Sequence, residues 1–180
     1  MNKAALFFVL FAVMGFRSAP LYADVLPEQL KKWSDWSERV EFTQHKQIKG
    51  LSRPLVSQGY MQLSNDQLLW HTQKPVDQQV LVEATGVSQW SSGEFKAVAG
   101  TEMIGQLMLA VVQKNTSFLL QYFDAKTGQP DCIELIPNQA PVNQFFSQII
   151  LCGQQQLESI QLNEISGNQT LIHLIVDGTR

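Results

Sequence analysis

The sequence predicts a mainly β protein with some α structure, in which a strongly curved antiparallel sheet forms an unclosed β-barrel and helices form a lid on its concave face. Many short segments alternate apolar and polar residues, and turn residues separate them. Only two segments of the mature chain have helical spacing, so few crossover helices are available and the strands are expected to be antiparallel. The apolar face of such a sheet must be covered, which assigns the two helices to it.

The N-terminus has the composition of a secretory signal peptide. Lys3 precedes an apolar run over residues 4–16, which is shorter than the roughly 20 residues that a membrane span needs. Small residues and a proline follow, and we predict cleavage before Asp24. Residues 1–23 are therefore predicted to be removed, and residues 24–180 to form a single domain. The alternative is an uncleaved membrane anchor, since a cation directly follows the apolar run.

Charge and composition exclude one class of partner. The formal net charge is -3 at pH 7, whereas nucleic-acid binding requires a concentrated basic patch. No nucleic-acid partner is therefore expected. Only 16% of the residues are charged, and glutamine supplies much of the polar surface, which fits half-buried strands.

The first predicted helix covers residues 27–40. Pro27 suits the first turn of a helix, where its missing N–H would have no intrahelical partner, and Glu28 is favoured there by the helix dipole. Apolar residues recur at helical spacing at Leu26, Leu30, Trp33 and Trp36. The spacing then changes to two around Phe42, where the first strand is predicted.

A meander of strands is predicted to follow. Turn residues separate strands over residues 56–63, 68–72 and 79–84, and a hairpin over 89–99 is broken at Ser91-Ser92-Gly93. Gly59 lies inside its strand and indicates a β-bulge.

The second predicted helix runs from Thr101 to Asn115 and is the most apolar helix of the mature chain. Strand patterns then resume over residues 118–123, 132–136, 145–151, 157–165 and 170–176. The last two strands flank the turn Ser166-Gly167-Asn168, which predicts a hairpin.

The sequence contains no catalytic constellation, so we do not expect an enzyme. The three histidines, His45, His71 and His173, have no metal-ligand spacing to one another and are expected to be exposed or hydrogen-bonded. No GxSxG elbow, P-loop or GxGxxG motif occurs. No catalytic residue, metal or cofactor is therefore predicted.

Cys132 and Cys152 are predicted to form a disulfide. An even number of cysteines in an oxidising compartment favours a bridge, and the strands that carry them are joined by a short connection, which makes them antiparallel neighbours. Two buried free thiols are the alternative. Their spacing does not match a zinc site.

The order of several motifs resembles the LolA-type outer-membrane lipoprotein carriers of Gram-negative bacteria. The family's F-x-Q element, its strand glycine and its W-x-x-x-x-P segment are matched by Phe42, Gln44, Gly59, Trp70 and Pro75. Residues 133–137 look like the family's L-x-L-x-P strand end, and residues 157–176 look like its closing hairpin.

This resemblance implies a monomeric periplasmic chaperone for lipoprotein transport. Such a carrier binds the acyl chains of a lipoprotein, or another lipid cargo, in a hydrophobic cavity. It receives its cargo from an inner-membrane exporter and delivers it to an outer-membrane acceptor, without any chemical reaction. The alternative is a periplasmic lipid-sensing or protein-binding module with no transport role, because fold does not fix function.

The predicted cavity lies between the concave face and the second helix. An acyl chain would gain about 0.8 kcal/mol per buried CH₂ there, whereas the alternative is an ordinary filled core. Methionines suit a pliable wall, and a strand whose faces were assigned the wrong way round would put its candidates outside. The candidate lining residues are Phe42, Leu68, Trp70, Val80, Val82, Met103, Ile104, Leu107, Met108 and Val111.

Overall fold

The computed structural model describes residues 25–36 and 39–175, so the predicted signal peptide lies outside the described residues. The helices are α1 (Val25–Lys32), α2 (Glu102–Val112), α3 (Thr116–Tyr122) and α4 (Val142–Phe145). The strands are β1 (Arg39–Gln47), β2 (Leu55–Ser64), β3 (Gln67–Lys74), β4 (Gln78–Glu83), β5 (Gly86–Ser91), β6 (Glu94–Val98), β7 (Phe123–Thr127), β8 (Cys132–Pro137), β9 (Phe146–Cys152), β10 (Ser159–Glu164) and β11 (Gln169–Ile175).

All eleven strands belong to one antiparallel sheet, in the order β6-β5-β4-β3-β2-β1-β11-β10-β9-β8-β7. The sheet consists of two meanders, β1–β6 and β7–β11, which join where β1 pairs with β11. Strands β6 and β7 are the two edges, so the barrel is unclosed. The predicted fold class, a mainly β protein with a large unclosed antiparallel sheet and additional helices, is confirmed.

Strand alternation gives the sheet one apolar face. Leu68 is the cross-strand partner of Val82, and Trp70 is the partner of Val80, so these four side chains share a face as predicted. Side chains of β3 and of β9 border one cavity together with α2, although four strands separate β3 from β9 in the sheet. The sheet therefore curves around α2.

The first helix is shorter than predicted, because α1 ends at Lys32 and residue 40 belongs to β1. Two hydrogen bonds to the β9–β10 loop account for the early end. The indole N–H of Trp33 donates to the carbonyl of Gly153 at 2.7 Å, and the backbone N–H of Ser34 donates to the carbonyl of Gln155 at 2.7 Å. These bonds satisfy backbone groups outside a helix and fix the chain as it turns toward β1.

The segment predicted as a strand over residues 118–123 is instead mostly the helix α3. Asn115, which the sequence marked as a helix end, caps the start of this helix: its side-chain oxygen accepts a hydrogen bond from the backbone N–H of Phe118 at 3.0 Å. Leu119 is then fully buried. A short helix that was not predicted, α4, lies in the connection between β8 and β9.

The predicted bulge and hairpin are both present. The β2–β3 register shifts between Gln58 and Gly59, and a Cβ at Gly59 would collide with the carbonyl of His71. At the β5–β6 hairpin, Ser92 and Gly93 have φ values of 55° and 89°.

Candidate functional site

Helix α2 begins directly against the turn between β4 and β5. The hydroxyl of Thr101 accepts a hydrogen bond from the N–H of Val87 at 2.9 Å and donates one to the carbonyl of Val98 at 2.6 Å. One turn later, Gly105 lies so close to the carbonyl of Glu83 that a Cβ there would collide with it. These contacts hold the N-terminal turn of α2 against β4–β5, and the helix then extends over the concave face.

A cavity of 290 Å³ lies between α2 and the sheet, close to the lower end of the range for small-molecule sites, about 300–1,000 Å³. Its lining is mostly apolar. The helix contributes Ile104, Leu107, Met108, Val111 and Val112. The sheet contributes Gln44, Lys46, Met61, Leu68, Trp70, Phe146, Ile149, Ile160, Leu162, Glu164, Thr170 and Ile172.

Six of the ten predicted lining residues border this cavity: Leu68, Trp70, Ile104, Leu107, Met108 and Val111. The other four pack beside it. Phe42 and Val82 are fully buried in the core, and the Phe42 ring contacts Trp70 edge to face with centroids 5.1 Å apart. Val80 and Met103 are partly buried against the same core.

Sequence reasoning missed most of the sheet side of the cavity. Phe146, Ile149, Ile160, Leu162 and Ile172 all come from the second meander. Their strands alternate as the others do, but local alternation does not reveal that β11 pairs with β1. Only that pairing brings these side chains opposite α2.

The lining is polar at one end. The ammonium nitrogen of Lys46 lies 3.3 Å from Oε1 of Glu164, and the two side chains are 39% and 23% exposed. The other carboxylate oxygen of Glu164 accepts hydrogen bonds from the Ser166 hydroxyl at 2.9 Å and the Asn168 amide at 3.0 Å. Burial by itself would raise the pKa of Glu164, but these hydrogen bonds and the charge of Lys46 together lower it.

This polar end lies on the side of the sheet where residues 48–54, 75–77, 92–93 and 165–168 connect the strands. We call it the loop end. The opposite end carries α1 and the β9–β10 loop, which the bond between Trp33 and Gly153 joins.

The C-terminal side of α2 is tied to the segment after α1. The ammonium of Lys114 donates to the carbonyl of Trp33 at 3.1 Å and forms a salt bridge with Asp35. The hydrogen bond and the charge of Lys114 lower the pKa of the exposed Asp35 carboxyl.

The histidines lie away from the cavity. On the convex face, His71 has Nδ1 3.1 Å from the Tyr60 hydroxyl and Nε2 3.1 Å from a carboxylate oxygen of Asp77. The rings of His45 and His173 approach edge to face at 6.2 Å. Within residues 25–36 and 39–175, no group of three or more His, Cys, Asp or Glu side chains is arranged to hold a metal ion.

Cys132 and Cys152 are direct cross-strand partners on β8 and β9, and their sulfurs are joined. Strand alternation places them on the opposite face from Ile149, which borders the cavity. The described helices include none with the length and apolarity to cross a membrane.

No protein-family model matches the chain, and no curated protein matches it. Among solved structures, it is similar to a LolA superfamily protein from Nitrosomonas europaea, with 8% sequence identity and a TM-score of 0.49 over 88% of this chain and 96% of that one. It is also similar to an outer membrane lipoprotein-sorting protein domain from Vibrio parahaemolyticus, with 11% identity and a TM-score of 0.37 over 88% and 93% of the two chains. LprF from Mycobacterium bovis has 10% identity and a TM-score of 0.39, over 87% and 92%. These likenesses are distant, and the function proposed below rests on the cavity.

Proposed function

We propose that this protein is a periplasmic carrier that binds the acyl chains of lipoproteins, or of a related lipid-linked cargo, in the cavity beneath α2. The observation that supports this proposal is the mostly apolar cavity of 290 Å³ between α2 and the sheet. The cavity is partly open, so its apolar lining contacts water when no ligand is bound, and removal of that contact is favourable. A bound acyl chain would cover this lining, which contributes about 25 cal/mol per Å² of apolar surface removed from water.

The chemistry of the wall favours a long apolar ligand with a polar head. Met61 and Met108, on opposite walls, provide flexible and polarisable contacts that adapt to chains of different shape. The polar groups are concentrated at one end, around Lys46 and Glu164. An acyl chain would lie along the apolar part, and its head would remain near the loop end.

The proposed transport would use this binding and would need no chemical reaction. The carrier would take its cargo from an inner-membrane exporter and release it to an outer-membrane acceptor, and relative affinities would drive the transfer. The motif order from Phe42 to Pro75, which resembles that of lipoprotein carriers, supports this direction. The apolar run over residues 4–16 supports secretion to the periplasm.

The first experiment is identification of the cargo. Native mass spectrometry of protein recovered from the periplasm should detect a co-purifying lipid or lipoprotein, and the mature chain should begin near Asp24. A fluorescent fatty acid should then bind the delipidated protein and be displaced by that cargo. Absence of any acyl ligand in both measurements would contradict the proposal.

A matched pair of acidic substitutions locates the binding site. Met108→Glu places a carboxylate in the apolar wall and should weaken fatty-acid binding by about tenfold or more. Gln113→Glu adds the same group at an exposed position just after α2 and should leave binding unchanged. Equal affinities for the two variants would exclude this cavity as the site. A protein that binds lipid but transfers none between donor and acceptor membranes would be a sensing module instead.

A further inference from the structure

We propose that the loop end of the sheet docks onto the surface of an anionic phospholipid bilayer. This surface is distinct from the cavity, and its existence does not depend on acyl-chain binding. It is defined by the loops 48–54, 75–77, 92–93 and 165–168 together with the residues that flank them.

Exposed apolar side chains are concentrated at this end. Among the residues that the structure describes, the exposed large hydrophobic side chains other than Val98 and Ile175 all lie there. Leu55 is 55% exposed and Ile165 is 58% exposed. Scattered apolar residues are normal on a protein surface, but their concentration on one set of loops marks an interaction site.

Hydrogen bonds join two of these loops to each other and to the residue that precedes β9. The backbone N–H of Lys49 donates to the side-chain oxygen of Asn168 at 3.0 Å, which ties the β1–β2 loop to the β10–β11 turn. The backbone N–H of Ile165 donates to the carbonyl of Phe145 at 3.0 Å, which ties the same turn to the start of β9. The apolar side chains of these segments are thus presented together.

The basic residues at the loop end favour an anionic membrane as the binding partner of this surface. The β1–β2 loop carries Lys49 and Arg53 but no acidic residue, and neither cation forms a salt bridge within the described part of the chain. The three carboxylates of this surface each have a basic side chain beside them: Glu164 has Lys46, Glu94 has Lys96 and Asp77 has His71. Cations beside exposed apolar side chains fit a lipid surface, where the cations contact anionic headgroups and the apolar groups enter the acyl boundary.

The position of the cavity in the sheet also fits delivery of a bound ligand to the bilayer. The polar end of the cavity, at Lys46 and Glu164, lies at the same end of the sheet. A protein docked through its loops would therefore face the bilayer with the part of the cavity that holds the ligand's head.

Vesicle co-sedimentation tests the proposal. The full chain is produced with its own N-terminal segment, and the soluble product is purified. It should sediment with vesicles of phosphatidylethanolamine and phosphatidylglycerol, less with vesicles of phosphatidylcholine alone, and less again as salt is raised. Lys49→Gln and Arg53→Gln should each weaken binding about fivefold, and Leu51→Ser with Leu55→Ser should weaken it by about tenfold or more.

Control variants at the opposite end of the sheet carry the same types of substitution, from apolar residue to serine and from lysine to glutamine. Val98→Ser with Ile175→Ser changes two comparably exposed apolar residues, and Lys31→Gln with Lys32→Gln removes two exposed cations of α1. Both should bind vesicles as the unchanged protein does. No sedimentation of the unchanged protein, or equal loss in the two sets of variants, would overturn the proposal. Fatty-acid binding in solution, measured in parallel, should be unaffected in every variant, so that failure of docking and failure of acyl-chain binding are distinguished.

Discussion

The ammonium nitrogen of Lys46 on β1 and the carboxylate of Glu164 on β10 lie 3.3 Å apart, with strand β11 between their strands. Both border the polar end of a cavity whose other walls are mostly apolar. Lys46 belongs to the first meander and Glu164 to the second, so the pair links the two meanders where they join.

Glu164→Gln should make the protein less sensitive to acid. The pKa of Glu164 is lowered in the folded protein, so its contribution to stability is present above the ordinary glutamate pKa. That contribution is lost as pH falls through the lower, folded-state pKa. Thermal unfolding followed by circular dichroism should show a larger fall in Tm for the unchanged protein than for the variant between about pH 6 and about pH 3. Parallel declines of the two Tm values would contradict this role.

Gly105→Ala should destabilise the protein even though alanine favours a helix by about 1 kcal/mol over glycine. The added methyl group would collide with the carbonyl of Glu83 and push α2 away from β4–β5. Urea unfolding should show a lower midpoint for this variant. A raised midpoint would mean that α2 moves away without cost. Gly50→Ala is an informative comparison, because the space around Gly50 is open and only its φ of 94° opposes the change.

Cys132 and Cys152 should be joined by a disulfide in protein recovered from an oxidising compartment. Thiol counting on unfolded, unreduced protein should find no free thiol. The bridge joins residues 20 positions apart, and closing a loop of that size in the unfolded chain stabilises the folded state by about 3 kcal/mol in the chain-entropy model. Cys132→Ser with Cys152→Ser should lower the free energy of unfolding by about that amount. Two free thiols in periplasmic protein would refute the bridge.

Trp33→Phe should loosen the contact between α1 and the β9–β10 loop. The substitution keeps an aromatic ring but removes the indole N–H that donates to Gly153, which should cost about 0.5–1.5 kcal/mol. Trp36→Phe is the matched control, since Trp36 is only partly buried against the core. Hydrogen exchange should increase in residues 153–158 for the first variant alone.

The strands were predictable because alternation and turn chemistry are local signals. Gly59 marked its bulge, and Ser92-Gly93 marked the hairpin. The prediction of a strand after Asn115 was wrong because the apolar and aromatic residues there suit a strand as well as a helix. The helix is favoured by its N-cap, in which the backbone N–H of Phe118 donates to the side-chain oxygen of Asn115. An asparagine that follows an apolar helix can therefore lie beyond the end of that helix and also be the N-cap of the next one.

The cavity was predictable only in part. Helical spacing identified the face of α2 that carries Ile104, Leu107 and Met108, because that face is set by the helix itself. The opposite wall depends on the pairing of Phe42 with Leu174 and of Gln44 with Ile172. The local sequence of β1 and β11 does not indicate that these two strands pair, nor in which register.

The arrangement of the two meanders also sets an order of events during folding. Nine of the ten strand pairings join strands that are consecutive in the chain, and only that of β1 with β11 does not, so these nine pairings form with little loss of chain entropy. The pairing of β1 with β11 can be completed only after residue 175 has left the machinery that synthesises or exports the chain. Since both meanders line the cavity, its two walls come together only when β11 pairs with β1, and the cavity is therefore a product of the last pairing step.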